Sequence, residues 1–454
     1  MISEIAPKLV SKLGSTDSKI PLGIKDTFNS AGYTYFSYDA GGGVEGKDRF
    51  VDEFGTGAIW LFGIPLYKKI VDKTIFKFAK ISPEADVRVV KDKKYLNLSI
   101  KHAPTDEILK DLKTAGKNIG KTKALTLAKF GISMALTMLS YLGLTKLKQK
   151  MTRLNIEKEF NENMKSSGLQ EKTNELKNIP VNKKSGVFSE FENFSSSKKS
   201  KYNPSFGSGI KTAEEFILNP VKNMILLDVG ITGERLSTAR TEGEFKEYGI
   251  KEGSFLFFVY CAGELIKKSL ETASQKLFKI PVALDAQLLS SDFAKDILTN
   301  NEMQKEIKNF SAKFTKNTDN SELYKFLFNN QNHTVVNAAK KSGIISTVKT
   351  KDDQIKIDTR KYIDPDKINQ LVKNLEDYIK FGKKSKDINK YLDKVRILKV
   401  AATVLSIGAS CLSLGYLVPK YMYEFRHKQQ DGNRDFHVKT EYEKELAAKA
   451  AKKY

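Results

Sequence analysis

The chain has 454 residues, of which 40% are hydrophobic and 29% charged. That length exceeds what one hydrophobic core usually supports, and the composition excludes a wholly disordered, collagenous or low-complexity chain, so two or three structural units are expected. The 77 Lys and Arg against 54 Asp and Glu give a net charge of +23, which favours an anionic neighbour and suits a membrane surface and nucleic acid equally well. The two cysteines, Cys261 and Cys411, lie far apart in apolar runs; they exclude a disulfide framework and predict reduced, buried thiols.

The first 23 residues break their apolar positions with Glu4, Lys8, Lys12, Asp17 and Lys19, so they do not read as a cleavable export signal. An aromatic apolar run follows at 54–67, too short for an ordinary spanning helix and matched to an interfacial, re-entrant or buried segment. Residues 85–100 alternate β-branched and polar side chains and read as a strand pair, followed by a helix from about Asp106.

Residues 115–122, AGKNIGKT, come close to a phosphate-binding loop. Ala115 stands where the first glycine belongs, and the preceding segment reads as helix rather than strand. Lys121 is accordingly not assigned to nucleotide chemistry, nor is Asp228 at the end of MILLD assigned to magnesium.

The run 124–144 carries one charge, Lys129, near its start, and its length suits a bilayer crossing. Gly131 and Ala135 are spaced for close helix contact, as are Ser406 with Ser410 and Ala409 with Ser413 in a later run. Residues 161–209 are rich in Ser, Lys, Asn and Gly and read as a mobile polar linker, with Phe188, Phe191 and Phe194 offering a short docking helix.

Beyond the linker a second apolar run, 253–266, matches the first short one. Amphipathic helices are expected through 285–330, a small hairpin around Lys351-Asp352-Asp353, and a helix opened by Asp364-Pro365 and closed by Gly382. Residues 400–418 then give 19 positions without a charge, flanked by Lys394, Arg396 and Lys399 on one side and Lys420, Arg426 and Lys428 on the other. About 20 helical residues cross a hydrocarbon layer of roughly 30 Å, so this run is the strongest candidate for a membrane span.

One order of features occurs twice: Asp39 and Gly41 against Asp228 and Gly230, Arg49 against Arg240, and Glu53-Phe54-Gly55 against Glu247-Tyr248-Gly249. Each is followed by an aromatic run, a Lys-Lys pair and later a long apolar run, which reads as a divergent internal duplication. The expected architecture is a mainly α-helical, membrane-associated protein with short β-hairpins. Its parts are an N-terminal helical unit at 1–160, the linker at 161–209, a C-terminal helical unit at 210–428 and a polar helical tail at 429–454.

No catalytic set, cofactor motif or metal site emerges; His102, His333, His427 and His437 form no HExxH or compact cluster. The candidate interface or polar-ligand contacts are Asp39, Arg49, Glu53, Asp228, Arg235, Arg240 and Glu247, with Glu234 beside them. The expected function is an integral membrane scaffold or organising protein without intrinsic catalysis. Its expected partners are the lipid bilayer, anionic lipids among them, and a protein or a second copy of the chain. A transporter or lipid-handling protein is the first alternative. A soluble helical nucleic-acid-binding protein is the second, disfavoured because the lysines are dispersed among acids.

Overall fold

The glycine triplet 41–43 decides how the first long helical stretch is used. In the computed structural model, α1 (Ile20–Val71) contains Gly42 at φ 69° and ψ −162°, a left-handed conformation that a side chain would strain. The chain reverses there. Leu61 comes within 3.4 Å of a Cβ placed at Gly23, although a straight helix would hold those positions more than about 50 Å apart. The arms 20–41 and 43–71 are therefore a helical hairpin. The structure describes residues 13, 19–166, 217–278, 280, 283–315, 318–429 and 436–451. The chain is mostly helical with one two-stranded sheet, and it divides into two compact units, each drawing on residues from both sides of the 161–209 segment.

The first unit comprises Met1–Pro21, Tyr67–Ser133 and Gly263–Gly408. Residues 85–100 are helical rather than a strand pair: α2 is Val87–Lys91 and α3 is Lys93–Lys101. Asp86 accepts a hydrogen bond from the Arg88 amide, and Asp92 from the amides of Lys94 and Tyr95. These caps satisfy helix N-termini, and the buried Val87 with Val90 and Tyr95 with Ser99 follow helical spacing, which overrides the β-branched bias.

α4 (Asp106–Lys117) starts at the capping hydroxyl of Thr105 and buries Ile108 and Leu112 in the same core. That core is completed by the short helices of 286–341 and by α14, described below. The Tyr95 ring stands edge-on to Tyr324 at 4.2 Å, while its hydroxyl donates to the Lys361 carbonyl at 3.2 Å and accepts from the Ile363 amide at 3.0 Å.

The expected hairpin is present as β1 (Thr347–Lys349) and β2 (Ile355–Ile357), antiparallel with Val348 opposite Lys356. α5 (Ile119–Ser166) carries the 124–144 run. α6 (Pro220–Ser237), α7 (Glu242–Leu256), a π-helical segment (Phe257–Ala262) and α8 (Gly263–Phe278) follow. Between α8 and the hairpin lie α9 (Ala286–Leu289), α10 (Phe293–Thr299), α11 (Asn301–Lys313), α12 (Asn320–Asn329) and α13 (Thr334–Lys341). α14 (Pro365–Gly382) begins at the Asp364 cap expected from sequence and ends at Gly382, where Leu298 leaves no room for a side chain.

The second unit comprises Leu22–Leu66, Met134–Ala262 and Ala409–Tyr454. In it α6 and α7 form another hairpin, since Asp228 reaches Tyr260 and Arg235 reaches Glu252. The α1 hairpin, α5 and the α6–α7 hairpin pack around Trp60, Ile64, Tyr141, Met224, Leu227 and Phe255. α15 (Ile388–Leu412) leads through another π-helical segment (Ser413–Leu417) into α16 (Val418–Gln429), and α17 (His437–Ala451) is the expected polar tail helix. A π-helical turn leaves carbonyls free of the usual α-helical bond, and at Val259 that carbonyl accepts from the Lys25 ammonium at 2.9 Å.

Among the described residues two helices, Ile119–Met164 and Ile388–Lys428, are long and apolar enough to cross a membrane. The runs 54–67 and 253–266 lie inside longer helical stretches. Cys411 is buried, but Cys261 is exposed because its π-helical position turns it away from the core, contrary to the sequence expectation. Residues 161–166 close α5; the rest of the expected linker, with Phe188, Phe191 and Phe194, lies outside the described residues.

Among the described glycines, close backbone approach between helices falls at Gly32 and not at Gly131. Gly131 has open space around it, whereas a Cβ at Gly32 would fall on the Gly415 carbonyl. Gly32→Ala should therefore lower the thermal midpoint clearly in a detergent-solubilised melt. Gly143→Ala, where nothing lies within 4 Å, should leave it level or slightly raised, since alanine is the better helix former by up to about 1 kcal/mol.

Candidate functional site

On the second arm of α1, Glu45, Asp48, Arg49, Asp52 and Glu53 recur at three- and four-residue spacing, and on α7 Glu244, Glu247, Lys251 and Glu252 do the same. Such spacing puts charges on one helix face, and here that face is turned inward. With Lys148 of α5, Arg235 of α6 and Arg426 of α16 they make a buried network in which every named side chain is 5% exposed or less. Arg240, at 19%, completes it from the α6–α7 turn. Seven carboxylates thus meet six cations, a near balance required of charges removed from water.

Arg426 donates to Glu45 at 2.7 and 2.8 Å and to Glu247 at 2.6 and 2.8 Å. Arg49 reaches the same Glu247 at 2.9 Å and lies 5.4 Å from the centre of the Tyr248 ring. Arg240 binds Glu244 at 2.6 Å and Asp48 at 3.3 Å, and Asp48 also accepts from the Thr152 hydroxyl. Lys148 donates to the Tyr248 hydroxyl at 3.0 Å, which in turn donates to Glu244 at 3.1 Å. Asp52 sits among Arg235 at 3.2 Å, Lys148 at 3.5 Å and Lys251 at 3.7 Å; Lys251 also pairs with Glu53, and Arg235 with Glu252.

Burial alone would raise the Asp52 carboxyl, but Arg235, Lys148, Lys251 and Arg49 together hold it well below the usual range. Burial likewise opposes ionisation of Glu244, yet Arg240 and Lys148 bring it down to about 2.

Of the residues singled out from sequence, Arg49 and Glu247 are brought into direct contact, and Glu53, Arg235 and Arg240 belong to the same network. Asp228 faces Tyr260 on the α6–α7 hairpin, and Asp39 is exposed on the first arm of α1. Sequence reasoning passed over Glu45, Asp48, Asp52, Glu244, Lys251 and Glu252, whose helical spacing beside two apolar runs was the available signal. Lys148 and Arg426 have no local signal, since their partners are distant in the chain.

Residues 115–122 span the end of α4 and the start of α5, with Gly120 helical and the Lys121 ammonium on the Ala79 carbonyl at 3.2 Å. No strand precedes them, and Asp228 lies within a helix. Among the described residues no group of three or more His, Cys, Asp or Glu side chains could hold a metal ion. No protein-family model, curated protein or solved structure matches the chain.

Lys251→Met should destabilise the protein by about 3–5 kcal/mol in chemical unfolding, because three carboxylates lose a buried partner at once. The acid limb has a defined sign. Glu244 is held at about 2, below its ordinary 4.5, so its stabilisation is complete above about pH 4.5 and is lost as pH falls toward 2. A melt series from pH 6 to pH 2 should show the wild type losing stability over that window, and Glu244→Gln, already less stable, showing a shallower loss.

Proposed function

We propose that this is an integral membrane scaffold: helices Ile119–Met164 and Ile388–Lys428 cross the bilayer through 124–144 and 400–418, and the protein organises a membrane site without chemistry of its own. The observation that carries the reading is the exposure of these helices. Only 17% and 39% of their most apolar windows are buried, although a soluble core helix would be mostly enclosed. Leu127, Leu139 and Leu142 on one, and Val404, Leu405 and Leu412 on the other, are large apolar side chains left outside the protein.

A buried ion-pair network lies beside the apolar core of the second unit, and the small polar cavity of about 20 Å³ there has room for one water but not for a transported solute. That favours a fixed bundle over a transporter. The double occurrence of a helical hairpin followed by a long helix is consistent with an internal duplication. An open groove of about 450 Å³ within three turns of the apolar run of α5 presents Lys146, Lys150 and Arg153 alongside Glu441 and Glu445, and its basic side chains are the contacts an anionic lipid headgroup would take.

A second reading, in which protein rather than lipid covers the apolar faces, is favoured by connectivity. α5 ends beyond Ile156, which packs with Val44 near the turn of the first hairpin; α6 begins about 27 Å from the turn of the second, at the Met224 end of the bundle. The sequence between them is rich in lysine and serine, side chains that are costly to pass through hydrocarbon.

Flotation after washing with high salt and alkaline carbonate separates the two. An integral protein floats with the vesicles after both washes. Release of intact protein into the supernatant would reject the membrane-spanning proposal and support a protein-covered bundle.

A further inference from the structure

Within the second unit, a small, partly open cavity of about 20 Å³ is faced by four carboxyl groups: the half-buried Asp26 and the buried Glu53 from the two arms of α1, Asp228 from α6 and Glu252 from α7. Only two cations reach it, Lys251 and Arg235. Both are already engaged, Lys251 with Glu53 and Arg235 with Glu252, and each also with Asp52. Asp26 and Asp228 therefore have no cation of their own.

The Tyr260 hydroxyl donates to Asp228, whereas none of the described hydrogen bonds reaches Asp26. The Asp26 carboxyl has room only because residue 57 is glycine, whose missing Cβ would stand 2.7 Å from its Oδ2. Asn29, 2% exposed, lines the same cavity with its Oδ1 unpartnered, an acceptor that calls for a donor inside the space. A cavity of this size holds one water.

We propose that Asp26 and Asp228 form a proton-binding site around a single buried water, with the Asn29 amide oxygen as an acceptor for that water. Two carboxylates facing one small, largely desolvated space without their own cations repel each other as well as Glu53 and Glu252, so a proton is the ligand that relieves the repulsion by neutralising one of them. Binding converts a carboxylate to a carboxylic acid, whose O–H then donates into the cavity; release returns the proton to solvent and leaves a negative charge facing Glu53 and Glu252. The charged groups facing Asp26 are Glu53 from the second arm of α1, Asp228 and Arg235 from α6, and Lys251 and Glu252 from α7. Burial, then Glu53, pushes the Asp26 carboxyl up to about 7, against the pull of Arg235 and Lys251. Burial raises Asp228 as well.

The sign follows. A carboxyl whose folded value lies above its ordinary 3.8 costs stability progressively as pH rises from about 4 to about 7. Infrared titration of the full-length protein from pH 5 to pH 9 should show a protonated-carboxyl C=O band that disappears with a midpoint near 7 and is lost in Asp26→Asn. In parallel melts Asp26→Asn should gain on the wild type as pH rises from 4 to 8. A wild type with no carboxyl titrating near neutrality overturns the proposal, as does an Asp26→Asn offset that is the same at every pH, the mark of a purely structural side chain. If Asp26→Asn does not fold, the wild-type band and its shift in Asp228→Asn decide.

Discussion

The second unit depends on the compensation of charges that its helices carry inward. Taking one carboxylate or ammonium out of water costs several kcal/mol even after relaxation, and here twelve such groups are almost fully enclosed. Each is acceptable only where its partner stands, so the second arm of α1, α5, α6, α7 and α16 are tied to one register. The apolar packing around Trp60 and Phe255 is non-directional and would tolerate small slides between helices. Arg426 seated between Glu45 and Glu247 would not. The network therefore specifies one arrangement more than it adds net stability, since hydrophobic replacements of buried ion pairs often match them in energy.

The reversal at Gly42 brings a further helix face up to that network. It folds the first arm of α1 back on the second, so Asp26 and Asn29 come opposite Gly57 and Glu53. The turn after Ser237 does the same for Asp228 and Arg235 against Tyr260 and Glu252. Two hairpins thus deliver acids and bases to one interior, and the cation supply falls short at the cavity shared by Asp26 and Asp228.

Much of the fold was legible wherever one local rule was decisive. The Asp364-Pro365 start and Gly382 end of α14, the hairpin around Asp353, and the long apolar stretches of α5 and α15 all rest on short-range chemistry. Residues 85–100 were not legible by periodicity, because alternation over so few positions fits strand and helix alike; two aspartate caps and burial against α12 and α14 tip the balance. For the site, the charges beside the apolar runs marked Arg49, Glu53, Arg235, Arg240 and Glu247, but not their partners. Whether a charge on a helix faces water or another helix is set by tertiary packing, and Lys148 and Arg426 become visible only when distant segments meet. Among the glycines, small-residue spacing pointed to Gly131, which has open space, while close backbone approach falls at Gly32 on Gly415.

On the proposed reading, a membrane scaffold built this way would keep apolar side chains outside and its charges inside, the reverse of a protein whose polar groups all face water. Its rigidity comes from pairs that are expensive to separate, which fits an organising role better than one requiring alternating access. The most direct test of that account is a double-mutant cycle on the most deeply buried pair, Glu45→Gln and Arg426→Met, with unfolding free energies measured for the wild type, both single variants and the double variant. The account predicts a coupling energy of more than about 1.5 kcal/mol, with the double variant more stable than the sum of the single losses allows. Additive losses, with coupling near zero, would contradict it.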